Sequence, residues 1–390
     1  MFWFATFIAQ FVLLGMVYQW STTAFPALAR RKRAVAAALI VLLAAQIGSR
    51  WAVVHWHVGS LLHTVLIVVV MTLGIAAAPM AVLHVLGALA ERQARRRRAV
   101  DPAPLPPVAP STGMTRRQLV EATGGATFLA ATGSMLGWGM VRGRHAFEIV
   151  DLPARIAALP RALDGYRITQ ISDLHAGLYV SERQLDEGLE RVRATRPDMV
   201  VVTGDLVDFD PAYAPMVARK LADLAPRDGV FTVLGNHDYY AGAQTMLAAM
   251  RAAGLVALVD DGRVVRARDG GGFALLGVDD LWSTRYHGQG PQIDRAIAAV
   301  PEGLPRILLS HQPHTVDRWP GKVALQLSGH THGGQINPGF RPADFFMRYV
   351  AGEYRAGGTV LYVNRGFGTV GPPSRVGAPP EVTRIILVAA

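Results

Sequence analysis

Aspartate, histidine and asparagine recur in this chain in short groups, each directly after an apolar run. The groups are Asp173-Leu174-His175, Gly204-Asp205, Gly235-Asn236-His237-Asp238, Ser310-His311 and Gly329-His330-Thr331-His332. Any one alone is ordinary turn chemistry, since Asp, Asn and Gly are the commonest turn residues. Together, Asp173, His175, Asp205, Asn236, His311, His330 and His332 form an all nitrogen and oxygen donor set of seven, too many for one four-coordinate zinc. Two metals sharing one carboxylate fit that count. Ions bridged at about 3.5–4 Å clamp the attacking and leaving oxygens of a phosphoryl transfer. The ligand types suit Mn, Fe, Zn, Co or Mg and do not choose among them. The chain has no cysteine, which removes thiol nucleophiles, Cys-ligated zinc, iron–sulfur clusters and disulfides.

Positioning these residues requires strands that end together. Arg167 to Ser172, Met199 to Thr203, Val230 to Leu234, Arg306 to Leu309 and Leu325 to Ser328 each predict a buried strand leading into one of the groups. Helices are predicted from Ser181 to Thr195, with Ser181 as N-cap, and from about Ala212 to Leu224. Active sites of open α/β sheets form outside the carboxyl ends of strands, so residues far apart in sequence converge there.

The series Asp173-x-His175, Gly204-Asp205-x-x-Asp208, Gly235-Asn236-His237-Asp238, His311 and Gly329-His330-x-His332 resembles that of the calcineurin-like metallophosphoesterase superfamily, across about residues 165 to 335. The Gly-His-Thr-His-Gly-Gly-Gln form is similar to a bacterial branch of membrane-associated phosphodiesterases related to UDP-2,3-diacylglucosamine hydrolases. The resemblance implies an α/β four-layer metallophosphoesterase sandwich, two mixed β-sheets flanked by helices. It implies Asp173, His175, Asp205 and His332 on one metal and Asp205, Asn236, His311 and His330 on the other, with a metal-bridging hydroxide as nucleophile. His237 would protonate the leaving oxygen or stabilise the transition state, Asp238 would orient its ring, and Asp208 would support the site. The alternatives are a phosphomonoesterase or a non-catalytic receptor for a phosphoryl ligand; loss of a ligand or of His237 would favour the receptor, and none is missing.

The rest of the chain places this chemistry. Residues 1–144 carry a net charge of +11 and residues 145–390 a net charge of −1, so the basic surplus is not on the part holding the site. That argues against a nucleic-acid footprint. Apolar runs at Phe2 to Trp20, Ala34 to Gly48 and Leu61 to Ala90 predict three transmembrane helices within residues 1–99, with Pro79 a possible kink. Residues 100–115 read as a Pro-rich cytoplasmic linker. Residues 116–144 read as a fourth transmembrane helix or a twin-arginine-like signal anchor. Residues 145–390 are the phosphoesterase domain, an all-α transmembrane region thus preceding it. Arg30 to Arg33, Arg92 to Arg98 and Arg116-Arg117 belong on the cytoplasmic side, which leaves the domain after Arg142 outside. A multi-pass protein of a bacterial inner membrane, with an extracytoplasmic site and a lipid- or envelope-linked phosphodiester substrate, is the expectation. His55, His57, His63 and His84 are expected to be packing or interfacial groups.

Other residues are assigned more ordinary roles. His287 and His314 read as loop residues, and Asp279-Asp280 follow a strand without being required by the motif series. Tyr239-Tyr240, Trp282 and Phe345-Phe346 could form an apolar wall for a lipid tail but read rather as core or rim aromatics. Arg365 is balanced between a phosphate contact and a structural ion pair.

Overall fold

The computed structural model describes residues 2–56, 60–98, 115–267 and 271–390, which form two compact units, 1–137 and 138–390. The Pro-rich stretch Asp101 to Pro110 and His57 lie outside the described residues.

The first unit is helical: α1 (Phe2–Ala24), α2 (Pro26–Ala29), α3 (Lys32–Trp56), α4 (Ser60–Arg98) and most of α5 (Arg116–Val141). Among the described residues, Lys32–Val53 and Leu61–Ala94 are long and apolar enough to cross a membrane. The Gly-, Ala- and Thr-rich α5 is not among them. Pro79 does not end α4, which runs on through it. Val17, Trp20, Ala24, Ala77, Met80 and Ala122 pack together, and the Trp20 indole N–H donates to the Glu121 carbonyl at 3.2 Å. His63 is fully buried with its Nδ1 3.0 Å from the Ser49 hydroxyl, the packing role expected of it.

The second unit holds two six-stranded mixed sheets. One contains β1 (Glu148–Ile156), β2 (Arg167–Ile171), β3 (Met199–Thr203), β4 (Val230–Val233), β5 (Val256–Ala257) and β12 (Glu381–Ala389), in the order β1-β12-β2-β3-β4-β5. The other contains β6 (Asp261–Arg266), β7 (Gly272–Gly277), β8 (Arg306–Leu309), β9 (Leu325–Ser328), β10 (Gly352–Ala356) and β11 (Thr359–Val363), in the order β10-β11-β9-β8-β7-β6. Strands β2 to β5 are parallel, as are β7, β8, β9 and β11. The central strands are apolar on both faces because both faces are covered. In β3, Met199 and Val201 enter the core between the sheets, whereas Val200 and Val202 face the helices α6 (Glu182–Ala194), α7 (Ala214–Ala222), α8 (Asn236–Ala241) and α9 (Ala243–Ala252). In β7, Phe273 and Leu275 take the inner face and Ala274 and Leu276 the outer, under α10 (Ile293–Ala298). This alternation produces the expected helix, sheet, sheet, helix layering. Ser181 caps α6 as its sequence predicts, its hydroxyl accepting the Gln184 N–H at 3.3 Å.

Candidate metal centre

The parallel strands β2, β3, β4, β8 and β9 all end toward one rim. There Asp173, His175 and His332 bring ligand atoms within 4.8 Å of one another, and so do Asp205, His311 and His330. Asp205 Oδ2 belongs to both neighbourhoods, lying 3.5 Å from His175 Nε2 and 3.2 Å from His311 Nε2. Its other oxygen accepts the His237 backbone N–H at 2.8 Å, so sharing falls to one oxygen rather than two. Asn236 presents Oδ1 3.1 Å from His311 Nε2, while its amide N–H donates to the Tyr240 hydroxyl at 3.4 Å. All seven expected ligands therefore meet in two overlapping groups.

The backbone is bent to place them. Asp173, His175, Asp205, His330 and His332 have φ of +53°, +46°, +54°, +75° and +52°. Such left-handed conformations cost non-glycine residues of order 1–3 kcal/mol each and persist only where the surroundings over-determine them. Cross-strand bonds do so here: the Asp173 N–H donates to the Gly204 carbonyl at 3.0 Å, the His175 N–H to the Asp205 carbonyl at 3.1 Å, and the His330 N–H to the Asp173 carboxylate at 2.9 Å. Two motif glycines allow the close approach. A Cβ on Gly235 would stand 2.2 Å from Asp205 Oδ1, and one on Gly329 would stand 1.9 Å from the Ser172 hydroxyl and 2.3 Å from Asp173 Oδ2.

The donor chemistry fits divalent cations. Nδ1 of His311 faces the Thr203 carbonyl at 2.8 Å, so it carries a proton there. Its Nε2 faces Asp205 Oδ2, Asn236 Oδ1 and His330 Nδ1, at 3.2, 3.1 and 3.2 Å. A proton on Nε2 satisfies one of these contacts; a cation satisfies all of them. Burial alone would neutralise Asp173 and Asp205, yet the surrounding imidazoles hold both carboxyls well below the usual range. Burial and neighbouring His311 push His330 down to about 4, leaving it a neutral donor.

His237 stands beside the shared carboxylate. Burial disfavours its charge, but Asp205 and Asp208 outweigh burial and push its pKa up to about 9. Its Nδ1 donates to the Asp208 carbonyl at 2.7 Å and lies 3.1 Å from the Asp208 carboxylate. Asp208, not Asp238, therefore orients the ring. Asp238 is occupied elsewhere: its two oxygens accept the backbone N–H groups of Asp205, Leu206 and Gly235, each at 2.9 Å, and hold the β3 and β4 ends together. The correction has a simple cause, since Asp238 at the start of α8 points back into the turn it caps.

The remaining candidates sort by contact. Arg365 is structural, donating to Glu381 at 2.5 Å and to Glu148 at 2.9 Å. Asp280 accepts the Gln312 amide at 3.1 Å and the Trp282 N–H at 2.7 Å, and burial pushes it up to about 6. Neither it nor Asp279, which accepts the Tyr239 hydroxyl at 2.5 Å, is in either donor group. His287, in a turn, and His314, in the short helix Pro313–Arg318, are also outside them and exposed. Phe209 and Tyr240 flank His237 with ring centroids 4.9 Å away, and Trp282 stands 5.5 Å beyond Tyr240. Phe345 and Phe346 are not core residues; both project into solvent. Missed entirely was Arg375, 1% exposed, which lies 3.2 Å from His332 Nδ1 and donates to the carbonyls of Gly368, Arg365 and Ala378. It sits in a Gly- and Pro-rich stretch with no periodicity, where nothing in the sequence marks it as buried.

A carboxylate shared between two nitrogen and oxygen donor groups, at the carboxyl ends of strands from two packed sheets, is an arrangement that could hold two metal ions in an α/β protein. Residues 166–334 match the family model described as calcineurin-like phosphoesterase. The chain is 31% identical over 280 residues to the uncharacterized metallophosphoesterase YkuE of Bacillus subtilis, covering 69% of this chain and 96% of that one. It belongs to the metallophosphoesterase family. It is also 33% identical over 271 residues to the zebrafish (Danio rerio) transmembrane protein with metallophosphoesterase domain. That match covers 67% of this chain and 62% of the fish protein, so the chain spans under two thirds of that relative. The solved NAD nucleotidase of Haemophilus influenzae overlays on 52% of this chain and 45% of its own, at TM-score 0.37 and 15% identity.

Proposed function

We propose that this chain is a membrane-anchored, metal-dependent phosphoester hydrolase that favours a phosphodiester carried by a lipid or envelope molecule. The observation that carries the proposal is Asp205 Oδ2, a donor within reach of both ligand groups. Asp173, His175, Asp205 and His332 would hold one divalent ion, and Asp205, Asn236, His311 and His330 the other; such a pair supplies an activated water and a clamp on phosphoryl oxygens. His237 is placed for general acid work. Its Nδ1 proton is held by the Asp208 carbonyl, which leaves Nε2 for the leaving oxygen. Phe209 and Tyr240 pack the ring on two sides and fix its direction.

The anchor is read from the two apolar stretches Lys32–Val53 and Leu61–Ala94, with α1 and α5 completing four spans. The zebrafish relative is named a transmembrane protein. The arginine-rich ends at Arg30 to Arg33 and Arg92 to Arg98 support a reading with these loops on the cytoplasmic side of a bacterial inner membrane and the phosphoesterase unit outside.

The test is hydrolysis of bis(p-nitrophenyl) phosphate and p-nitrophenyl phosphate by the full chain in detergent, metal-stripped and then given Mn²⁺, beside Asp205→Asn and His237→Ala. Metal-restored turnover, faster on the diester and lost in both variants, is expected. A folded, metal-loaded protein that turns over neither ester overturns the hydrolase. Soluble nucleotides cleaved far faster than any lipid-linked ester would remove the lipid substrate.

A further inference from the structure

Residues 335–350 leave the His332 turn and return to it. Near the start, the Asn337 amide donates to the Gly333 carbonyl at 3.0 Å; at the end, the Thr331 hydroxyl donates to the Val350 carbonyl at 2.5 Å. Between these ties stand Phe340, Phe345, Phe346 and Met347, exposed to 58%, 76%, 88% and 45%. Single exposed apolar residues need no explanation, but a group of them on one loop does. A phenyl ring with nearly nine tenths of its residue surface in water projects outward and lines no groove. Arg341 and Arg348 bracket Phe345, Phe346 and Met347; Arg341 pairs with Asp344 at 2.7 Å and Arg348 with Asp317 at 3.4 Å, and the Arg348 side chain stays 73% exposed.

Projecting aromatics beside arginines match the boundary between lipid headgroups and acyl chains. There the rings leave water and the guanidinium groups meet phosphates. A protein partner must offer a hollow for each protruding ring, whereas a bilayer needs none. The same chain also carries two stretches long and apolar enough to cross a membrane, which favours a bilayer over a protein as the occupant. We infer that the Phe340 to Met347 loop inserts into a lipid bilayer surface and holds the rim of the metal centre against headgroup phosphates. Insertion stands apart from the hydrolase reading; only its consequence for substrate rests on that reading.

The absence of cysteine means that one introduced thiol carries one fluorophore. Phe346→Cys, labelled with an environment-sensitive dye, is reconstituted as the full chain into vesicles of phosphatidylethanolamine with a minority of phosphatidylglycerol. Blue-shifted emission, quenched by lipids with a spin label near the headgroup, is expected. The same dye at Glu190→Cys, whose native side chain is 71% exposed on α6, should report water. Emission at 346 equal to that at 190 overturns the proposal, and so does a shielded dye that no spin-labelled lipid quenches, because protein then covers the loop. Turnover gives a separate reading. The double variant Phe345→Ser/Phe346→Ser should lose at least about tenfold on a phosphodiester embedded in vesicles and keep its rate on a soluble one. Equal loss on both would refute a role in bringing lipid to the site. If even the unaltered chain hydrolyses nothing, the hydrolase fails while the dye result stands.

Discussion

Gly235→Ala should disable the metal centre while leaving every ligand in place. The added Cβ would stand 2.2 Å from Asp205 Oδ1 and 2.6 Å from the Asp205 backbone nitrogen, against 3.4 Å for ordinary contact. Neither neighbour is free to yield. Asp205 Oδ1 is held by the His237 N–H at 2.8 Å, and the Asp205 nitrogen donates to Asp238 at 2.9 Å. Relief therefore means moving the shared carboxylate by roughly 1 Å, a displacement that costs on the order of 10²-fold in rate when it falls on reacting geometry. Overpacking of this kind also destabilises by about 1–3 kcal/mol, a loss of several degrees in Tm. The assay pairs metal content per chain with kcat/KM for bis(p-nitrophenyl) phosphate in Mn²⁺. Gly124→Ala, at a position with nothing within 4 Å of the new methyl, is the control and should change neither. Two bound metals and an unaltered rate in Gly235→Ala would refute the claim that this close approach positions Asp205.

His237→Ala should lower kcat by about 10²–10⁴-fold and leave metal stoichiometry intact, which separates general acid work from ligation; a drop in bound metal would reassign it as a ligand. Arg375→Met should tighten metal binding, read by titration of the stripped protein, because the guanidinium can only donate and stands 3.2 Å from His332 Nδ1, which carries a proton when Nε2 holds a cation. Unchanged affinity would make Arg375 a packing group only. Chelation should lower the Tm of the full chain and Mn²⁺ should restore it, with a gain of about 2.7 kcal/mol per site at 100 times Kd. No shift in Tm with Mn²⁺ would mean that the donor groups are satisfied without a cation. Asp208→Asn should impair His237 less than Asp208→Gly, since the strongest contact to the ring comes from the Asp208 backbone carbonyl at 2.7 Å, which both variants keep but which glycine leaves on a looser backbone. Equal loss in the two variants would place the burden on the carboxylate instead.

The ligand set was legible in the sequence because each member follows an apolar run that can only be a buried parallel strand, and parallel strands share a direction. Asp173, Asp205, Asn236, His311 and His330 lie 157 residues apart at the extremes, yet the pattern of β2, β3, β4, β8 and β9 places all five at one rim. The layers were legible for the same reason: both faces of β3 and β7 are apolar, so both had to be covered.

Relations between side chains that no local pattern encodes were decided by the tertiary structure. Asp238 follows His237 in sequence, but the helix start turns its carboxylate back onto the β3 and β4 ends and leaves the ring to Asp208. Sharing through Oδ2 alone follows from the His237 N–H occupying Oδ1, a contact across two loops. Arg365 and Arg375 look alike in a Gly- and Pro-rich tail, yet the packing pairs one with Glu381 and Glu148 and buries the other against His332. Phe345-Phe346 carry the composition of a core segment and stand in solvent, because both ends of their loop are tied to the metal turn. Periodicity records which face of an element is buried; it carries no record of which distant group arrives at that face, and that is where the chemistry of this site was set.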